Sequence, residues 1–355
     1  MKKVLVAMSG GVDSSVAALL LKKRGFEVVG LTMCLGVNGE GSERARCCGS
    51  SAIKDAKQVC ARLEIPHYVF DFSQELEEKI IKRFVDEYLN GRTPNPCVDC
   101  NKFIKFGSLL EKVEAMGLDY LATGHYAKVE KINGRYFLKR PKDKVKDQTY
   151  FLYPVKRQVL KKILFPLANF TKEEVRQIAR ENKLPVAEKP QSQNICFIQE
   201  KDYRKFLSER IKRFREGPIV DLNGNVLGRH KGIFFYTVGQ RQGLGISGKG
   251  PLYVIAIDPK ENKIIVGGKN DLKAKGLKAK DLNLLVDELP KRVFAKIRYV
   301  HKGEWCQVSI KDNKLELIFD EPQEAITPGQ SVVLYDKDFV LGGGIIEEVI
   351  KDADY

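Results

Sequence analysis

The sequence predicts an α/β domain built on a parallel sheet, followed by a small β-rich domain and a C-terminal β-barrel. Three observations carry that reading. Apolar runs alternate with helical stretches of about 10–18 residues over the first third of the chain, the pattern of βαβ units whose sheet is covered on both faces. Beyond Gly217-Pro218 the pattern changes to short strands broken by Gly, Asn and Asp turns. The chain has 355 residues, 43% hydrophobic and 30% charged. That is length for two to three domains and the composition of a globular protein, not of a disordered, collagen-like or coiled-coil one.

Residues 4–8 read as a buried strand, and 14–24 as a helix closed by Gly25. Strands follow at 27–33, 67–72 and 119–123, with helices at 51–63, 75–89 and 103–116 between them. Residues 126–140 read as a hairpin turning at Asn133-Gly134. Thr171 and Glu174 form a capping-box signature ahead of a helix over 175–181, and a basic helix is expected over 202–215. Asn223-Gly224, the turn at 258–262 and Asp312-Asn313 punctuate the β-rich remainder. Lys273, Lys275, Lys278 and Lys280 around Gly276 read as a linker. The expected domains are therefore 1–215, 216–272 and 281–355.

The net charge of +15 is concentrated. Residues 101–215 hold 27 basic and 13 acidic residues, a net of +14, while the flanking stretches are near neutral. A localised basic field points to a polyanion, nucleic acid first; a solvated lysine-rich surface is the plainer reading. No apolar run approaches the roughly 18 residues of a membrane span, and the opening apolar run is too short for a signal peptide. A cytoplasmic protein with no membrane partner is expected. In that compartment eight cysteines do not suggest a disulfide framework, and Cys97-x-x-Cys100 points to redox, sulfur-handling or metal chemistry. Lying just before a helix, these thiols are expected to have a lowered pKa. Cys34, Cys60 and Cys306 read as small buried hydrophobes, and His301 and Trp305 as packing or rim residues. Cys47-Cys48 falls in a glycine- and arginine-rich loop.

Ser9-Gly10-Gly11-Val12-Asp13-Ser14-Ser15 lies between the first strand and the first helix, where α/β sheets bind ligands and a helix N-terminus favours anions. Paired glycines allow close approach of backbone N–H groups, and the serines add hydroxyl donors. The spacing is neither that of a dinucleotide fingerprint nor that of a Walker loop. A serine-capped glycine turn is the bland alternative.

This loop resembles that of the PP-loop ATP pyrophosphatases, whose fold is adenine nucleotide alpha hydrolase-like and which cleave ATP to AMP and pyrophosphate while adenylating a substrate. Further blocks appear in order: Thr93-Pro94-Asn95-Pro96, Cys100-Asn101, Ile104-Lys105-Phe106-Gly107, Ala122-Thr123-Gly124-His125-Tyr126, Lys146-Asp147-Gln148, residues 192–197, Tyr236-Thr237-Val238-Gly239-Gln240-Arg241, Arg298-Tyr299 and Pro328-Gly329-Gln330. Together they are similar to the bacterial tRNA-specific 2-thiouridylases, from Lys2 to about Gly344. The resemblance implies a tRNA-uridine 2-sulfurtransferase acting on the wobble uridine at tRNA position 34, through adenylation of uridine O2 and sulfur attack at C2.

It further implies ATP and Mg2+ as cofactors, with ATP lined by Ala7, Met8, Ser9, Gly10, Gly11, Val12, Asp13, Ser14, Met33 and Gly124. It implies Cys100 as nucleophile and Cys196 as persulfide carrier, the two able to pair in a disulfide. A persulfide-donating sulfur-relay protein would supply the sulfur. Asn95, Pro96 and Cys97 would flank the target base, which must be flipped out of its stack to react. His125, Lys146, Asp147, Gln148, Arg298, Tyr299 and Gln330 would face tRNA. Many members carry Asp where this chain has Cys97, and an acidic residue where it has Gln191; Asp99 is a substitute for the former. Two sulfur chemistries stay open, the persulfide route and a [4Fe–4S] cluster held by Cys97, Cys100 and Cys196. Other readings are a further adenylating PP-loop enzyme such as a tRNA lysidine synthetase, or a non-catalytic RNA-binding iron–sulfur protein.

Overall fold

The computed structural model describes residues 1–36, 50–190, 195–198, 202–212, 214–246 and 250–351. They divide into two compact units. One is Met1–Ile80, Cys97–Phe197 and Asp338–Val340; the other is Ile81–Pro96, Ile198–Lys337 and Leu341–Tyr355. Cys47, Cys48, Gln191 and Ser192 lie outside the described residues.

In the first unit, β1 (Lys3–Ala7), β2 (Glu27–Cys34), β3 (His67–Asp71), β4 (Tyr120–Ala122), the hairpin β5 (Lys128–Ile132) and β6 (Arg135–Lys139), and β7 (Ile163–Leu164) follow in chain order. Five of these strands form a sheet in the order β3-β2-β1-β4-β7, with every neighbouring pair parallel. The central strand shows why: Val4, Leu5 and Val6 point to alternate faces and all are 0% exposed, as expected where both faces are covered. Helix α1 (Val12–Lys23) packs Val16, Ala17 and Leu21 into a core shared with Val4 and Val6 and with Ala56 and Val59 of α2 (Ser50–Arg62). The chain leaves β1 to one side through β2 and β3, and to the other through β4 and β7. The switch in direction opens a crevice at the carboxyl ends of β1 and β4.

The hairpin turns at Asn133 and Gly134, both with positive φ (49° and 80°), as the Asn-Gly pair requires. The capping box forms as read: Thr171 accepts from the Glu174 N–H, and the Glu174 carboxylate from the Thr171 N–H. The 103–116 helix begins earlier, at Pro96. Proline suits a first helical position because its missing N–H has no partner there anyway. Cys100–Ser108 within this helical run is π-helical.

The second unit holds a four-stranded sheet, β8 (Gly217–Val220), β9 (Val226–His230), β10 (Tyr253–Asp258) and β11 (Lys263–Gly267), ordered β10-β11-β8-β9. Ile219, Tyr236, Val254 and Ile264 form its core. Strands β12 (Lys273–Leu284), β13 (Arg292–Lys296), β14 (Glu304–Lys311), β15 (Lys314–Glu324), β16 (Ser331–Asp336) and β17 (Phe339–Ile350) run in the order β12-β15-β14-β13-β16-β17, and pairing of β12 with β17 closes a six-stranded barrel. The architecture is thus the α/β, small β, β-barrel series expected.

Two local expectations fail. The lysine-rich stretch at 273–280 is not a linker but the first two thirds of β12: Ala274, Gly276, Leu277 and Ala279 are buried, while Lys273 and Lys275 face outward. The helix at 202–215 ends at Arg210. Phe214 lies outside it, with its ring edge-on to Phe234 and Phe235.

Candidate functional site

The loop leaving β1 is shaped by hydrogen bonds among its own residues. Ser9 donates its N–H to Ser14 Oγ (3.2 Å), and the Ser14 and Ser15 hydroxyls donate to the Gly11 carbonyl (3.2 and 2.8 Å). The two serines can therefore sit buried at the start of α1. Gly10 has φ +69°, and a Cβ there would lie 2.3 Å from the Ala52 carbonyl oxygen; only glycine fits. Across the crevice, a Cβ on Gly124 would lie 2.6 Å from the Ser14 nitrogen, so the turn after β4 presses against the first turn of α1. Met33 is near the carboxyl end of β2, whose Leu31 pairs with Ala7. The structure thus brings together Ala7 to Ser14, Met33 and Gly124.

Asp13 departs from the expected pattern, because its carboxylate has partners inside the protein. Lys172, 6% exposed, donates to both Asp13 oxygens (2.6 and 2.7 Å), and Tyr126 Oη donates to one of them (2.8 Å). Burial, and then the Asp13 charge, push the Tyr126 hydroxyl pKa far up, so it stays a donor. Sequence reasoning missed Lys172. It also missed Lys189, whose Nζ donates to the Gly10 carbonyl (2.9 Å) and to Asp55 (2.5 Å). No motif marked either lysine.

The cysteines separate by exposure. Cys97 and Cys196 are exposed, Cys100 is buried, and none of the three is in a disulfide. Burial pushes the Cys100 thiol up, with the Lys105 ammonium pulling the other way. The expected lowering is overturned: the first turn of a helix offers a fraction of a charge, and desolvation outweighs it. Lys105 is five residues from Cys100 in π-helical backbone, whose i to i+5 bonding brings such residues toward one face. Its charge also reaches His125, whose pKa burial and Lys105 hold well below the usual value. That ring is hydrogen-bonded through Nδ1 to Thr123 Oγ1 (2.7 Å) and packs in a triangle with Phe106 and Phe165, so it is neutral. Next to Cys100, Asn101 is 1% exposed and donates to the Phe151 carbonyl (2.9 Å). Among the described residues no group of three or more His, Cys, Asp or Glu side chains is placed to hold a metal ion. Cys97, Cys100 and Cys196 therefore do not fit a cluster ligand set as they stand. Cys34 is buried as expected but is disulfide-bonded, not a plain thiol. Cys60 and Cys306 are the buried thiols expected.

Comparison with known proteins places the chain. Residues 2–200 match the family described as tRNA methyl transferase HUP domain, 204–268 the tRNA methyl transferase PRC-barrel domain, and 274–346 the Aminomethyltransferase beta-barrel domain. A tRNA-specific 2-thiouridylase MnmA 1 of Syntrophus aciditrophicus is 55% identical over 353 residues, 99% of this chain and 95% of that one. The tRNA-specific 2-thiouridylase MnmA of Acetivibrio thermocellus is 50% identical over 98% of this chain and 99% of its own, and that of Clostridioides difficile 48% over 98% of each. The chain belongs to the tRNA-specific 2-thiouridylase family.

In this member of the thiouridylase family, several residues expected at tRNA have internal work. The buried Asp147 accepts from Arg140 Nε (2.6 Å) and from the Thr149 N–H and hydroxyl (2.9 and 2.6 Å). Gln148 Oε1 accepts the Tyr126 N–H (2.8 Å). In the second unit, Gln330 Nε2 donates to the Thr93 carbonyl (2.8 Å), and Arg298 to the Glu324 carbonyl (3.0 Å). Arg298, Tyr299 and Asn95 keep part of their surface exposed. The dense basic segment is largely paired: Lys139 with Glu130, Arg140 with Asp147, Lys142 with Glu174, Lys144 with Asp338. Lys142 and Lys144 remain about half exposed, and such surface pairs are weak enough for a phosphate to compete. Among the described residues no helix is long and apolar enough to cross a membrane.

Proposed function

We propose that this chain forms 2-thiouridine in tRNA at the expense of ATP, with the wobble uridine as target. The reading is supported by one juxtaposition above all. A single compact unit carries both an anion-suited amide loop and two unequal thiols, in a chain about half identical along its full length to proteins named tRNA-specific 2-thiouridylase.

ATP lies with its phosphates at the β1–α1 loop. Asp13 and Asp55 already hold lysines, so magnesium would be held by the ATP phosphates and would supply charge neutralisation there. Uridine O2 attacks the α-phosphorus and pyrophosphate leaves, which turns a poor leaving oxygen into part of AMP. Cys196, exposed, can be charged by a sulfur-relay protein. Its terminal persulfide sulfur attacks C2, and AMP departs. Cys100 then attacks the Cys196 sulfur, which leaves the transferred sulfur on the base and a Cys100–Cys196 disulfide for a cellular thiol to reduce. Burial of Cys100 keeps it from intercepting the relay protein. Asn95, Pro96 and Cys97 border the flipped base, while Lys146, Arg298 and Tyr299 contact tRNA.

Incubation of the full chain with tRNA, MgATP and sulfide tests this. Equal amounts of AMP, pyrophosphate and 2-thiouridine are expected, with none of the thionucleoside from Cys100→Ser or Cys196→Ser under relay-protein supply. AMP without thiolation would favour another adenylating reaction, and no AMP at all would favour a binding protein.

A further inference from the structure

Lys189 joins three parts of the first unit. Its ammonium is held by Asp55 of α2 and donates to the Gly10 carbonyl (2.9 Å). Its own carbonyl and that of Ala187 accept from the Arg176 guanidinium (3.3 and 3.2 Å). Arg176 lies on the same helix as Lys172, the partner of Asp13. The segment reaching Lys189 is thus fastened to both ends of the β1–α1 loop, at Gly10 and at Asp13.

The Gly10 contact has a directional consequence. Gly10 lies just before the N-cap Gly11, whose carbonyl takes the first helical bond from the Ser15 N–H (3.3 Å), so the Gly10 carbonyl lies outside the helix and accepts from Lys189. A trans peptide sends its C=O and the following N–H in opposite directions. With the Gly10 carbonyl turned to Lys189, the Gly11 N–H faces away from the lysine. Among the described residues neither Gly10 nor Gly11 gives its N–H to any acceptor. Gly10, with φ +69° and no Cβ, has backbone freedom that a fixed cation can remove. Preset amides bind an anion without the cost of ordering them at the moment of binding.

We propose that Lys189 is a positioning residue: braced by Asp55, it holds the Gly10–Gly11 peptide so that the loop amides face the triphosphate of ATP. This deepens the proposed function and rests on ATP occupying this loop. Lys189 is seven positions before Cys196, so the same tether fixes the root of the chain that leads to the persulfide carrier.

The test is calorimetric titration of the full chain with MgATP and, separately, with adenosine. Lys189→Met keeps the apolar stem and removes the donor. It is expected to weaken MgATP binding about tenfold, the scale of one charge-assisted hydrogen bond, and to leave adenosine affinity unchanged, because adenosine carries no phosphate. Lys189→Arg should restore most of the loss, and Asp55→Asn should reproduce part of it. Unchanged MgATP affinity in Lys189→Met and Asp55→Asn overturns the proposal, as does an equal loss for adenosine, which would mark general damage to the fold. If the unaltered chain fails to bind MgATP, the reading of the loop as an ATP site falls, and the proposal with it.

Discussion

Replacing Lys172 by Met is the sharpest perturbation of the nucleotide end of the first unit. Lys172 and Asp13 are close at two oxygens, with side chains 8% and 25% exposed, and Met matches the lysine stem closely enough to leave little void. The substitution strands a carboxylate that keeps one donor, the Tyr126 hydroxyl (2.8 Å). Breaking a fully buried pair costs about 3–5 kcal/mol. Asp13 retains some water and one hydrogen bond, so about 2–3 kcal/mol is expected here, just below the fully buried range. The sole tryptophan, Trp305, lies in β14 of the barrel, so its fluorescence reports on the wrong unit. Urea unfolding should be followed by circular dichroism at helix wavelengths, since most helices of the described chain belong to the first unit. Asp13→Asn in the Lys172→Met background should recover about 1–2 kcal/mol, because the stranded charge is gone. A loss under about 0.5 kcal/mol for the single variant, or strict additivity in the double, would refute the ion pair as a significant constraint on the loop.

Two further outcomes follow from the thiols. At pH 7.5 iodoacetamide should modify the exposed Cys196 at least about tenfold faster than Cys100, which is buried with a raised pKa; peptide mapping that finds equal rates would remove the division of labour between them. Burial raises Cys60 from 9.0 to about 11 and Cys306 from 9.0 to about 12. A raised thiol pKa favours the protonated folded form, so this stability is intact below pH 9 and is lost as pH climbs from 9 through 11 to 12. Cys60→Ala should flatten the alkaline fall in thermal midpoint; an unchanged slope would mean that Cys60 does not govern it.

Elements whose signals are local were readable from sequence. The Asn133-Gly134 turn, the Thr171/Glu174 capping box and the glycine loop each depend on backbone chemistry within a few residues, and each forms. The strand at 273–284 was hidden because its buried positions are Ala, Gly and Ala as much as Leu, too weakly apolar to show a period of two against four lysines; barrel closure with β17 supplies what the pattern lacks. The thiols were misread for a similar reason. Helix position is visible in sequence, but burial of Cys100 under distant chain is not, and desolvation outweighs the helix end. Lys172 and Lys189 were invisible because their partners Asp13, Gly10 and Asp55 are more than 130 residues away. The net basic field over 101–215 was readable, but a tally that counts Glu130 and Glu174 cannot say which lysines they stand beside, nor that Asp338 comes in from outside the window.

The first unit is not finished where its main run of chain ends. Asp338 accepts the Arg140 N–H through its carbonyl (2.8 Å) and pairs with Lys144, and Phe339 lies edge-on to Phe137 of the hairpin. On the ribosome, Asp338 is made 199 residues after Lys139, the last residue of the hairpin (338 minus 139). At about 5–20 residues per second, the hairpin waits roughly 10–40 s for its last neighbours. A nascent chain halted within the barrel would emerge with its nucleotide loop assembled and its basic hairpin unsupported, so completing the carboxyl end completes a piece of the amino-terminal unit.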